Sequence, residues 1–211
     1  MYEVHTDPAP AAAPHAAPRD ATAADLPGIV KVYLGAYAQP PWLERNDPVH
    51  TEQYVRWLMG HPGMHTLVVE GTPGRTNGSE PTGAARPNGA SDDTRILGFI
   101  MASAPRPYQD FVGDWEHMAD RPAEGWPVVT GTLGYIWELA VDPDALRRGL
   151  GTALMAEALR RLKAAGAERV ILRSSERADA AMALYRKFGF TRLPLRERRD
   201  PLAGPWVVKF T

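Results

Sequence analysis

From residue 134 to residue 190 the chain switches between strand-like and helix-like patterning in one order: strand, glycine loop, helix, strand, helix. Gly134-Tyr135-Ile136-Trp137-Glu138-Leu139-Ala140-Val141 is an apolar run of strand length. Asp142-Pro143-Asp144 follows as a turn, and Leu146-Arg147-Arg148-Gly149-Leu150-Gly151 opens a helix. Leu154, Met155, Ala158, Leu159 and Leu162 share one face of that helix, and Gly166 is placed to cap its end. Val170-Ile171-Leu172 reads as a second strand, and Asp179 to Phe188 as a second helix ended by Gly189. A strand, a crossover helix and a further strand imply a right-handed unit with parallel strands. Ligands of such sheets bind at the carboxyl ends of the strands, where the glycine loop lies.

A glycine loop at a helix start offers free backbone N–H groups and the positive end of the helix dipole. That is a cradle for phosphate, and Arg147 and Arg148 beside it supply further donors. It is not the dinucleotide fingerprint, because Leu154 stands where the third glycine belongs, and no Gly-Lys-Ser/Thr follows to make a P-loop. Tight helix packing alone also selects such glycines, so the loop needs support from its surroundings.

That support is a pair of patterns in sequence. Leu146-Arg147-Arg148-Gly149-Leu150-Gly151, after Leu139-Ala140-Val141-Asp142-Pro143, resembles the acyl-CoA signature of the GNAT superfamily of N-acyltransferases. Ala178-Asp179-Ala180-Ala181-Met182-Ala183-Leu184-Tyr185-Arg186-Lys187-Phe188-Gly189-Phe190 resembles the second signature of that superfamily. Two departures stand out: Leu146 occupies a position where the family carries Gln or Arg, and Ala178 one where it carries Asn. The resemblance implies an α/β (α+β) fold, with one domain over residues 19–211 and a mixed central sheet of about six to seven strands covered by helices on both faces.

It also implies acetyl-CoA as the donor, with a cofactor site at Leu139, Ala140, Val141, Arg147, Arg148, Gly149, Leu150, Gly151 and Thr152. The expected activity is N-acetyltransfer to a primary amine on a small molecule or peptide. With no cysteine to carry the acyl group, direct attack in a ternary complex follows. Glu138 is the candidate base, on the strand that would flank the acetyl group, and Tyr185 the candidate acid near the thioester sulfur. A backbone N–H near Leu139 is the candidate oxyanion donor. Trp42, Trp137 and Ser174 are assigned to the acceptor side. The bland alternatives are a solvent-facing Glu138 and a core Tyr185. The competing function is a domain that binds acyl-CoA without turnover, as a sensor or interaction module.

Composition bounds the rest. The chain has 211 residues, which suits one core. Zero cysteines exclude disulfides and thiolate metal sites, and no metal site is expected. No signal peptide and no membrane-length apolar run is evident, so a cytoplasmic protein is expected. Residues 1–144 hold 9 Lys/Arg against 19 Asp/Glu, whereas residues 145–200 hold 14 against 6. The basic part coincides with the phosphate cradle, although Arg160, Arg161 and Lys163 read as a solvated helix face. No nucleic-acid module is recognisable, so no nucleic-acid partner is expected, while a homodimer is left open.

Outside the central block, residues 1–18 are Ala/Pro-rich and expected to be disordered. Thr22-Ala23-Ala24-Asp25 starts a helix with Ile29, Val30, Tyr33 and Tyr37 inward, and a short helix is expected over Glu52–Gly60. Thr66–Glu70 and Ile96–Ala102 read as an antiparallel strand pair around a flexible loop at 71–93, with a last strand over Pro205–Phe210. Residues 106–130 read as an insertion. Its aromatics and carboxylates suit either a cationic acceptor or an anchoring role.

Overall fold

A computed structural model describes residues 17–72, 94–107, 131–193 and 202–210. The expected disorder at the N-terminus, most of the 71–93 loop and the aromatic part of the 106–130 insertion lie outside the described residues. The chain builds β1 (Arg19–Asp20), α1 (Leu26–Tyr37), α2 (Pro48–Gly60), β2 (Met64–Gly71), β3 (Arg95–Pro107), β4 (Thr132–Val141), α3 (Leu150–Ala164), β5 (Arg169–Ser175), α4 (Asp179–Lys187), β6 (Thr191–Arg192) and β7 (Ala203–Lys209). These strands form one seven-stranded sheet in the order β1-β2-β3-β4-β5-β7-β6. Only β4 and β5 run parallel, joined by the α3 crossover, and the other neighbours are antiparallel.

Helices cover both faces. Ile29 and Val32 of α1 and Val55 and Leu58 of α2 bury against Val68, Phe99, Met101 and Ala140. On the opposite face Leu150, Leu154, Met155, Ala158 and Leu162 of α3, with Met182 and Tyr185 of α4, cover Leu67, Ile100, Ile136, Val170 and Leu172. The apolar stripe read from the sequence is thus the buried face of α3. Its polar side is paired within the chain: Arg160 and Arg161 both hold Glu157, at 2.7 and 2.8 Å, and Arg161 reaches Asp20 at 2.5 Å.

Several boundaries move relative to the sequence reading. The first helix begins after a short helical turn at Ala23–Asp25, where the Thr22 N–H donates to Asp25 Oδ2 at 2.6 Å. The second starts at Pro48, four residues early, because Asp47 caps it by accepting from the His50 N–H at 2.9 Å. Arg106 and Pro107 belong to β3 and Gly71 to β2, so both connections are shorter than expected. The two-residue edge strands β1 and β6 carry no sequence pattern of their own.

Two irregularities in the sheet create the site. Pairing between β4 and β5 runs from Leu133↔Arg169 to Ile136↔Leu172 and stops there. Beyond that point the two strands part, and a wedge opens at their carboxyl ends. In addition, Met101 faces Glu138 while the next residue, Ala102, faces Ile136. Trp137 is therefore an extra residue, a β-bulge, and the side-chain alternation of β4 changes phase there.

Candidate active site

The bulge decides where Glu138 points. Ile136 packs on the α3 face, and strict alternation would send Glu138 the same way. With Trp137 inserted, Trp137, Glu138 and Ala140 turn to the α1/α2 face instead. There the Tyr37 hydroxyl donates to Glu138 Oε2 at 2.5 Å and the Tyr54 hydroxyl to Oε1 at 2.7 Å. Burial pushes the Glu138 carboxyl up to about 7, against the two tyrosine hydrogen bonds that favour its charged form, with Glu44 nearby adding to the rise.

The wedge holds a cleft of about 830 Å³. Tyr33, Tyr37, Trp42 and Glu44 form one wall, β4 from Ile136 to Val141 the floor, and Ser174, Ala178 and Tyr185 the other wall. Tyr185 is buried, and burial raises its hydroxyl to about 12, partly offset by a hydrogen bond with Ser174. It keeps its proton at neutral pH. Glu138 and Tyr185 thus face one cavity from opposite helical layers. Trp137 lines it too, and its indole N–H is buried with no partner among the described residues.

Strand β4 also presents its backbone. The Asp142 N–H donates to the Leu97 carbonyl at 2.8 Å, and bonded pairs alternate along an antiparallel ladder. Ala140 and Glu138 therefore bond to β3, whereas Leu139 and Val141 turn their N–H and C=O groups toward the wedge. Ser174 and Ser175 line the opposite side on β5.

The phosphate cradle lies just past the cleft. Its rim is Pro143 and Leu146; Arg147, Arg148, Gly149, Leu150, Gly151 and Thr152 follow at the start of α3 and are not part of the cleft wall. Arg147 and Gly149 have φ of 62° and 82°. Gly149 takes that left-handed conformation without strain, and it is the N-cap of α3. The N–H groups of Leu150, Gly151 and Thr152 meet no backbone acceptor among the described residues. The side chain of Leu150 is buried in the core, so only its N–H faces outward use. Arg148 is turned back onto the carbonyls of Asp144 and Thr72, at 3.2 and 3.3 Å. Of the two departures, Leu146 is exposed at the rim and Ala178 is buried in the wall.

Every candidate site residue named from the sequence is thus at the wedge or at the adjoining α3 start. Sequence reading placed Tyr37 only in the core and overlooked Tyr54. A half-buried tyrosine where phenylalanine would pack equally well is the one signal that could have marked them. Among the described residues, no group of three or more His, Asp or Glu could hold a metal ion, and no helix is long and apolar enough to cross a membrane.

Known proteins share the family pattern and the fold of this chain. The model of the acetyltransferase (GNAT) family matches residues 70–190. A mycothiol acetyltransferase of Kocuria rhizophila is 27% identical over 172 residues, covering 81% of this chain and 50% of that protein. The chain spans half or less of the length of the curated relatives it matches. Among solved structures, the ribosomal-protein-S18-alanine N-acetyltransferase of Escherichia coli superposes with a TM-score of 0.56 at 17% identity, over 92% of this chain and 93% of that one. A GNAT family acetyltransferase of Brucella melitensis, solved with acetyl-CoA, superposes at 0.53 and 16% identity, over 92% and 87%. With the family model covering more than half of its residues, the chain belongs to the acetyltransferase (GNAT) family.

Proposed function

We propose that this protein transfers an acetyl group from acetyl-CoA to a primary amine, by direct attack with both substrates bound. The observation that carries this reading is a single cleft in which a carboxyl raised to about 7 faces a buried, protonated tyrosine across a splayed pair of parallel strands. The residues fit coenzyme A. N–H groups at the α3 start that meet no backbone acceptor among the described residues suit a pyrophosphate, and the outward N–H and C=O groups of Leu139 and Val141 suit a chain of amides. When bound, acetyl-CoA supplies an activated acyl carbon with a thiolate leaving group.

The residues divide the work around that carbon. Glu138 accepts the proton that the amine must lose as its nitrogen bonds to the acyl carbon. The outward N–H of Leu139 stabilises the negative charge that gathers on the acyl oxygen. Tyr185 donates a hydrogen bond to the sulfur as the C–S bond breaks, and Ser174 orients Tyr185. Trp42 and Tyr37, with ring centroids 5.9 Å apart, and the carboxylates Glu44 and Glu138 favour a cationic amine before it loses its proton. The Trp137 N–H, without a partner among the described residues, offers a hydrogen bond to an acceptor oxygen. We place the enzyme in the cytoplasm.

Calorimetric titration with acetyl-CoA, with ATP and NAD as controls, tests the donor. Selective micromolar binding followed by amine-dependent thiol release is the expected result. Selective binding without release for any amine in a broad panel would leave a non-catalytic acyl-CoA sensor. No binding by the folded protein overturns both.

A further inference from the structure

The Glu138 carboxylate is gripped from two different helices, and neither contact belongs to a family signature. We propose that Tyr37 and Tyr54 are positioning residues that fix the orientation of the Glu138 carboxylate and set its proton affinity for taking the acceptor's proton. This rests on reading Glu138 as the base.

The geometry is specific. Tyr37, the last residue of α1, holds Oε2 at 2.5 Å, and Tyr54, inside α2, holds Oε1 at 2.7 Å. The terminal torsion of a glutamate is broad and soft, so a single donor leaves the carboxylate free to pivot. Two donors from separate helices remove that freedom. Each oxygen has two lone pairs, so each keeps one for the amine. The tyrosines are themselves braced: the Tyr33 ring is tilted against Tyr37 and edge-on to Tyr54, with centroids 4.4 and 6.1 Å away, and Trp57 stacks 6.3 Å from Tyr54. Phenylalanine would fill the same space. Burial raises the hydroxyls of Tyr37 and Tyr54 well above the usual phenol range, so both stay donors at any working pH.

The groups that face Glu138 come from every neighbouring element. Tyr33 and Tyr37 come from α1, Glu44 from the connection after it, and Tyr54 from α2. Tyr185 comes from α4 and Arg173 from β5, both in the same cleft wall. Burial and Glu44 raise the carboxyl, while the two tyrosine hydrogen bonds lower it. In the transfer step the nitrogen lone pair forms the C–N bond as the C–S bond breaks and its electron pair leaves on the sulfur, while an N–H bond breaks and its proton forms an O–H bond on Glu138. The clamp thus keeps a strongly desolvated carboxyl ionised often enough to act near neutrality.

The test follows the Glu138 carboxyl carbon by NMR from about pH 5 to about pH 10 in the full chain, with Glu138→Gln to assign the signal. Tyr37→Phe, Tyr54→Phe and the double variant should each raise the midpoint, by about one pH unit per hydroxyl removed. The acid limb of the kcat/KM profile, on the best amine of the panel, should move with it. Activity should then fall roughly tenfold below the midpoint and little above about pH 9. Unmoved midpoints in variants with unchanged melting temperature overturn the clamp, as does a uniform loss at all pH values. The base assignment fails separately, if Glu138→Gln keeps wild-type turnover. Because both changes are isosteric apart from one oxygen, the single variants still report if the double variant does not fold.

Discussion

Tyr185 is held at the meeting point of α4 and β5, and its environment dictates its chemistry. Its ring lies 5.9 Å from Phe190 and 6.5 Å from Trp206, which keeps water away and raises its hydroxyl to about 12. Such a group cannot serve as a base near neutrality, but it remains a donor throughout the working range. Tyr185→Phe keeps the packing and removes that donor. Turnover should fall by roughly 10- to 100-fold with acetyl-CoA affinity nearly unchanged, as expected for an interaction made mainly in the transition state. Steady-state rates and a binding isotherm on the same preparation check it. An unchanged kcat at saturation would remove Tyr185 from the chemistry. At this scale the sequence was informative about identity only. Tyr185 could be picked out because it sits inside a recognisable local pattern. The Glu138 environment could not, since its partners are 101 and 84 residues away along the chain and the bulge that aims it leaves no mark in the composition of β4.

The elements make two sharper claims. The α3 start takes its shape from Gly149 at φ 82°, followed by three N–H groups with no backbone acceptor among the described residues. Gly149→Asp places both a side chain and a negative charge where the helix dipole favours an anion. Acetyl-CoA should bind at least about tenfold more weakly, as judged by calorimetry on a variant whose circular dichroism matches wild type. Wild-type affinity would detach this loop from the donor. Strand β4 supplies the second claim. Amides of Glu138 and Ala140 bond across to β3, while those of Leu139 and Val141 face the wedge. Hydrogen exchange at Leu139 and Val141 should be fast in the free protein and slow when acetyl-CoA is added, with Ala140 slow in both. Exchange at Leu139 that ignores the donor would contradict a backbone contact there. Long elements with a single period, such as α3, were readable in advance. The start of α2 was misplaced although Asp47-Pro48 spells a cap, and β1 and β6 are too short for any alternation to register.

For the molecule as a whole, the site is bought with stability. Glu138 has its carboxyl raised in the folded state above the usual value near 4.5. The folded protein therefore binds more protons than the unfolded chain between about 4.5 and about 7, and stability falls as pH rises through that window. The stabilisation is complete below the unfolded value and lost above the folded one, an effect of up to about 3 kcal/mol. Glu138→Gln is neutral at every pH and removes this slope. Urea unfolding at about pH 5 and about pH 8.5 should show wild type losing more stability than the variant between the two. Parallel losses would mean that Glu138 does not titrate near neutrality in the fold. The overall architecture was legible because the β4–α3–β5 crossover constrains its neighbours. The parting of β4 from β5 was not, since β4 stays largely apolar past the point where they separate, and the polar Arg173-Ser174-Ser175 of β5 reads equally well as the end of a strand.

An unpaired strand edge on a protein surface invites another chain to add itself to the sheet. Here the outward groups along β4 face the cleft between two layers of helices, not the outer edge of the sheet. The same backbone that would be an aggregation hazard on the outside becomes a selective slot on the inside. On the proposed function, that slot takes a slender ligand that carries its own amides.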